Sequence, residues 1–279
     1  MSIPQFTIDK VIQTALEEDI NYLDTTTDYL IPADQFSDAY FLAKADGVLC
    51  GIEIALRTFR LLDPGFSAEV LKRDGDRVAK GDILARLHGH TVMLLKGERT
   101  ALNLLQHLSG IATETAKAVE LVKGTRAAVT DTRKTLPGLR ALQKYAVVTG
   151  GGKNHRFNLS DGAMLKDNHI DAGGGITKAV AALRAKIGHM VKIEVETRTL
   201  DEVREALSVG AEVIMLDNMS CETMAEAVKL ADGRALLEAS GGITTETIRR
   251  VAETGVDIIS LGALTHSVTA FDISMKMEK

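Results

Sequence analysis

From about residue 125 onward the chain alternates short apolar runs with helical stretches, and few folds accommodate that alternation. AAVTD, VKIEVE, AEVIMLDN, RALLEASGG and VDIISLG read as strands, separated by segments such as LDEVREALSVG and TTETIRRVAETG. A βα series of this kind is α/β in class and forms either a barrel or an open doubly wound sheet. Glu196, Asp217, Ser240 and Gly262 each close a run, at intervals of roughly 20 to 25 residues, the length of one βα unit in a barrel. Polar residues therefore recur at strand C-terminal ends, the face on which barrels build active sites. The spacing alone predicts a site assembled from several strands.

The first hundred residues follow a different grammar. Ile8, Val11, Ile12, Ala15 and Leu16 recur at helical spacing and give an amphipathic opening helix. Three short apolar runs with turn punctuation follow, FLAKADGVLCG, FSAEVLKRDGDRV and GDILARLHGHT, as an antiparallel or mixed sheet requires. From Arg99 a long helical stripe of Leu102, Leu105, Leu108 and Ile111 joins the two halves. With 279 residues, 45% of them hydrophobic, two domains with real cores are expected.

Charge excludes several functions. Lys and Arg number 33 against 38 Asp and Glu, a net charge of −5, and there is no Trp, so nucleic acid and anionic membranes are poor partners. No apolar stretch reaches the length of a membrane span. The start, MSIPQFTIDK, lacks the basic and apolar regions of a signal peptide, so a cytoplasmic protein is expected. Cys50 and Cys221 sit among apolar or small neighbours and read as inert buried thiols.

Against that acidic background, residues 131–170 hold Arg133, Lys134, Arg140, Lys144, Lys153, Arg156 and Lys166 but only Asp131, Asp161 and Asp167. Cations gathered in one stretch suit an anionic ligand, and arginine suits forked contacts to carboxylate or phosphate. Arg140 and Lys144, in the helical LRALQKYAVV, read as a solvated helix face. Arg133, Lys134, Arg156 and Lys166 read as anion binders, because DTRKTLPG lies between a strand and a helix and GGGKNHR joins close-approach glycines to donors. In VKIEVE, Ile193 and Val195 face one way while Lys192, Glu194 and Glu196 face the other, a charged face that a barrel interior or an internal ion pair could hold. Glu196 and Asp217 on neighbouring strand ends could share Mg²⁺, which prefers few protein carboxylates plus substrate phosphates. SGGI and SLG offer hydroxyls and backbone N–H groups to a phosphate.

These residues resemble a family. ERTALNLLQHLSGIAT, DTRKTLPGLRALQKYAV, GGGKNHRFNLSDGAMLKDNHI, IEVE, MLDN, EASGGI and SLGALTHS, in this order, with EDINYLDTTT and DGVLCG near the start, are similar to quinolinate phosphoribosyltransferase. The LKDNH ending separates the chain from a related group found beside molybdate-transport functions. The resemblance implies an open-faced α/β sandwich domain, 1–106, on which the tail 268–279 packs, and an incomplete, TIM-like βα barrel, 107–267. It implies transfer of phosphoribose from phosphoribosyl pyrophosphate to quinolinate with decarboxylation, giving nicotinate mononucleotide, CO₂ and pyrophosphate. Carried over by motif position, Arg99, Arg133, His155, Arg156 and Lys166 surround quinolinate. Lys134, Glu196, Asp217, Ser240, Gly241 and Gly262 serve the phosphoribosyl donor and its Mg²⁺, with Thr132, Gly242 and Ser260 adjoining them. Lys134, Lys166, Glu196 and Asp217 form the implied catalytic set, and Lys166 or a water is the expected proton source at C2. His155 has a second reading as a satisfied structural histidine. The resemblance also implies a homodimer, or a larger assembly of dimers, in which Arg99 enters the partner subunit's site.

Two other readings are weighed against this one. Lys166 at a strand end would suit a Schiff-base aldolase or decarboxylase. GDRVAKGDILARLHG is similar to the turns of biotinyl and lipoyl carriers, and Met275, Lys276 and Met277 spell the biotin-acceptor tripeptide, but at the C-terminal end rather than in a hairpin.

Overall fold

A computed structural model describes residues 3–20 and 23–278; Asn21 and Tyr22 of the EDINYLDTTT string lie outside the described residues. The chain runs α1 (Gln5–Asp19), α2 (Thr27–Leu30), β1 (Phe36–Ala43), β2 (Gly47–Val48), α3 (Ile52–Leu62), β3 (Ser67–Val70), β4 (Arg77–Val78), β5 (Ile83–His90) and α4 (Thr91–Leu121). It continues through β6 (Ala128–Thr130), α5 (Arg140–Thr149), β7 (Ala163–Leu165), α6 (Asp167–Gly173), α7 (Ile176–Arg184), β8 (Ile193–Thr197) and α8 (Leu200–Ser208). The last elements are β9 (Val213–Asp217), α9 (Cys221–Ala231), β10 (Leu236–Ser240), α10 (Ile248–Glu253), β11 (Ile258–Ser260), α11 (Ala263–His266) and β12 (Ile273–Met277).

Two compact units emerge. The first comprises 1–116, 135–151 and 264–279, the second 117–134 and 152–263. In the first unit an antiparallel sheet runs β12-β1-β5-β3. Phe41 and Ala85 of the sheet, Phe59 of α3 and Leu105 of α4 share one buried core with Phe271 and Met275 of the tail. The tail returns as β12, pairing Met275 with Phe41.

The units divide differently from 1–106 and 107–267, for local reasons. The long helix starts at Thr91, directly after β5 and well before Arg99, and its middle is tied to the first unit: Ser109 Oγ accepts the Cys50 N–H at 3.0 Å, and Thr113 Oγ1 the Val48 N–H at 2.9 Å. Helix α5 belongs to that unit as well. Tyr145 donates to Asp74 at 2.8 Å, and Lys144 is fully buried, contrary to the solvated face expected of it. Cys50 is buried, and burial raises its thiol; Cys221, expected to be buried, opens α9 half-exposed.

The second unit is the expected incomplete barrel. Six parallel strands run in the order β6-β11-β10-β9-β8-β7, two fewer than a closed βα barrel, so β6 and β7 are edges. Alternation sets their faces. On β8, Ile193 and Val195 are fully buried on one side, and Glu194 and Glu196 point to the other. Short connections then hold the strand ends in place. Thr199 and Glu202 reciprocally cap α8, two residues past β8, and Ser220 caps α9 by accepting the Thr223 N–H at 3.2 Å. At the open edge Lys153 bridges Thr130 of β6, and its N–H donates to Val129 O at 2.8 Å, which carries the following residues to the barrel mouth.

Candidate active site

The strand C-terminal ends of the second unit surround a cavity of about 670 Å³. It is lined by Thr132, Arg133, Lys134, His155, Arg156 and Lys166 from the basic stretch, and by Glu196, Asp217, Ser240, Gly241, Gly242 and Ser260 from the later strands. Two expected residues do not line it. Arg99 lies exposed on α4 of the first unit, and Gly262 follows β11 beyond the lining.

The acidic pair sits at the ends of β8 and β9. Burial raises the Glu196 carboxyl above its ordinary value, and the neighbouring charge of Asp217 adds to the rise. Lys166 Nζ lies 3.9 Å from Glu196 Oε2. Asp217 is held by its neighbour: Asn218 Nδ2 donates to Asp217 Oδ2 at 3.0 Å, while the Asn218 N–H donates to Ser240 O at 2.9 Å. Asn218 takes a left-handed φ of 53° for this, and Gly241 beside it takes 93°. A Cβ on Gly241 would lie 2.3 Å from Asn218 Oδ1, so only glycine fits. The buried Ser260 hydroxyl has no hydrogen-bond partner among the described residues, a donor left for a ligand.

On the basic side, the Arg156 guanidinium donates to Gly162 O at 2.8 Å, and the Lys134 N–H donates to Thr132 Oγ1 at 3.0 Å. His155 is enclosed. Its Nε2 lies 3.1 Å from Glu194 Oε2 and 3.4 Å from Glu238 Oε2, and its Nδ1 accepts the Arg156 N–H at 2.8 Å. Burial disfavours charge on the ring, but the hydrogen bonds to Glu194 and Glu238 outweigh it and raise its proton affinity; burial likewise raises Glu194.

Residues 111–276 match the model of the quinolinate phosphoribosyl transferase C-terminal domain, and residues 24–109 that of its N-terminal domain. The chain belongs to the quinolinate phosphoribosyltransferase family. A probable nicotinate-nucleotide pyrophosphorylase (carboxylating) of Bacillus subtilis is 47% identical, with 95% of this chain and 92% of the relative covered. The mitochondrial quinolinate phosphoribosyltransferase (decarboxylating) 2 of Nicotiana glauca is 43% identical over 99% of this chain and 83% of its own length. Among solved structures, NadC from Streptococcus pyogenes is 43% identical with a TM-score of 0.96, covering 100% of this chain and 99% of the other.

In this quinolinate phosphoribosyltransferase chain, sequence reasoning missed five lining residues: Met164, Asp167, Met215, Asn218 and Glu238. Glu238 carried a signal, since it lies two residues before Ser240 and so on the same strand face, within an otherwise apolar run. The charged face of VKIEVE was legible, but its partner was not. Glu194 meets His155, whereas Lys192 is exposed. Arg198 was missed too; it stands beside the acidic pair, 3.7 Å from Glu196 Oε1 and 3.9 Å from Asp217 Oδ2.

Proposed function

We infer that this chain transfers the phosphoribosyl group of phosphoribosyl pyrophosphate to the ring nitrogen of quinolinate and releases CO₂, the carboxylating nicotinate-nucleotide pyrophosphorylase reaction of NAD biosynthesis. One observation carries the reading: a single cavity gathers Arg133, Lys134, Arg156 and Lys166 together with the Glu196 and Asp217 pair. Quinolinate is a dianion, and its adjacent carboxylates need several cationic donors; forked arginines also fix the ring's orientation. Arg133, Arg156 and Lys166 take that role. Lys134, Thr132, Ser240, Gly241, Gly242, Ser260 and Gly262 serve the donor's ribose and phosphates.

The pyridine nitrogen's lone pair forms the bond to ribose C1′ as the C1′–O bond breaks and pyrophosphate leaves with the electron pair. The ribose is then oxocarbenium-like, and Glu196 and Asp217 stabilise its charge. Nitrogen in the product ring is quaternary and positive, so it accepts electron density as the C2–carboxylate bond breaks. CO₂ departs, and the pair left at C2 takes a proton from Lys166 or a water.

The donor set suits Mg²⁺. Glu196 and Asp217 would hold it with the donor's phosphates, and their mutual repulsion is what a divalent cation relieves. Bound there, it would neutralise charge on the departing pyrophosphate. Arg99, exposed on α4, is assigned to the site of a second copy in a homodimer. A cytoplasmic location is proposed with this activity; no helix among the described residues is long and apolar enough to cross a membrane.

Steady-state turnover with quinolinate, phosphoribosyl pyrophosphate and Mg²⁺, with nicotinate as a parallel acceptor, tests the reaction. Turnover of quinolinate alone is expected; turnover of nicotinate alone would sink the decarboxylating half. Mixing Arg99→Ala with Lys166→Ala protein tests the assembly, because only a shared site restores activity in mixed dimers.

A further inference from the structure

Positive charge in the candidate site falls short of what the donor carries. In the function inferred above, Arg133, Arg156 and Lys166 meet quinolinate, and His155 is enclosed by Glu194 and Glu238, which leaves Lys134 as the one lining cation assigned to the donor. The donor brings a phosphate monoester of about −2 and a pyrophosphate of higher charge. Glu196 and Asp217 add their own carboxylates at the same place. Mg²⁺ between those carboxylates offsets them and little more. A further cation is needed on the side of the acidic pair.

Arg198 stands there. It follows Thr197, the last residue of β8, and precedes Thr199, the cap of α8; its own N–H donates to Glu202 Oε2 at 2.6 Å, so strand end and helix start both fix its backbone. Three carboxylates that line the cavity surround its guanidinium. Asp167 Oδ2 accepts a hydrogen bond from Nη2 at 2.8 Å, whereas Glu196 Oε1 lies 3.7 Å from Nη2 and Asp217 Oδ2 3.9 Å from Nε, beyond hydrogen-bond reach. Nη1 makes no hydrogen bond or ion pair among the described residues. An exposed ion pair would need Asp167 alone and would not require the guanidinium to face the acidic pair as well. A planar fork with donors to spare is what phosphate oxygens take.

We propose that Arg198 is a pyrophosphate-binding residue of the donor site: with Asp167 as its tether, the guanidinium yields the acidic pair to Mg²⁺ and presents Nη1 and Nε to the pyrophosphate, where negative charge accumulates as the C1′–O bond breaks. The assignment rests on the function inferred above and adds a residue to it. Without the donor, the same guanidinium offsets part of the repulsion between Glu196 and Asp217.

Titration calorimetry with inorganic pyrophosphate at saturating Mg²⁺ reads this contact without any turnover, and saturation keeps a change in metal affinity out of the comparison. Arg198→Ala should bind pyrophosphate about ten- to a hundredfold more weakly, the range for a lost hydrogen bond between charged groups, and should bind quinolinate as the wild type does. Arg198→Lys keeps the charge without the fork and should recover part of the loss. In turnover, KM for the phosphoribosyl donor should rise and KM for quinolinate should not. Unchanged pyrophosphate affinity in Arg198→Ala overturns the proposal and leaves Arg198 as a surface ion pair. Equal weakening of pyrophosphate and quinolinate overturns it too, as the mark of a disturbed strand end. Either result with a wild type that turns over quinolinate sinks this proposal alone, whereas a wild type inactive on quinolinate sinks the functional reading and, with it, the donor that this contact requires.

Discussion

The Arg198 guanidinium is held 2.8 Å from the Asp167 carboxylate, and from that tether it reaches toward both Glu196 and Asp217. A cation already stands beside the acidic pair. A divalent metal binding there must share the pair's charge with this guanidinium. Arg198→Ala should therefore tighten Mg²⁺ or Mn²⁺ binding by about two- to fivefold, the range for exposed charge pairs. Titration calorimetry on the variant checks this, and weaker binding would mean that Arg198 organises the pair instead of competing with a metal for it.

Asp217 is held by the Asn218 side chain at 3.0 Å, while the Arg198 guanidinium stands 3.9 Å away. That orientation matters only if the carboxylate works on the donor or the transition state. Asp217→Ala should lower kcat/KM by about 10²- to 10³-fold, the loss found when one electrostatic stabiliser is removed. Circular dichroism should show an unchanged fold. Full turnover by the variant would remove the role assigned to Asp217.

Much of this site is legible in the sequence, because its chemistry is concentrated at strand ends that recur with the βα period. Asp217 and Ser240 end strands as the spacing predicts, Glu196 is the last residue but one of β8, and the barrel places all three around one cavity. Pairings across the interior were not readable. Glu238 and His155 are far apart in the sequence, and only the barrel's curvature brings a glutamate on β10 to a histidine carried in by the edge bridge at Lys153. Lys144 misled for a related reason: helical spacing describes one helix, while its burial depends on what the rest of the first unit packs around α5.

Gly241 is the most sterically constrained residue of the candidate phosphate-binding loop. Its left-handed φ and the 2.3 Å approach to Asn218 Oδ1 mean that Gly241→Ala must move either the loop or Asn218. Strain of this kind costs about 1–3 kcal/mol. A lowered Tm is expected, together with a rise in KM for the phosphoribosyl donor larger than that for quinolinate, because Asn218 also holds Asp217. Equal changes in the two KM values would show that the loop does not serve the donor.

Asp63 provides a pH test in the first unit. It is buried, and burial alone pushes its carboxyl up. The N–H groups of His90 and Gly65, at 2.9 and 2.8 Å, and the His90 imidazole more than offset this, so the carboxyl ends below its ordinary value. A carboxyl lowered on folding stabilises the folded state at pH values above its unfolded value of about 3.9, and that contribution fades as the pH falls through the lower folded value. The wild type should therefore lose stability steeply on acidification below about pH 4. Asp63→Asn should be less stable at pH 7 by about 1–3 kcal/mol, since two part-buried backbone N–H donors lose a charged, buried acceptor. Its urea midpoint should also fall less between pH 5 and pH 3 than that of the wild type; parallel pH profiles for the two proteins would show that other carboxylates set the acid limit.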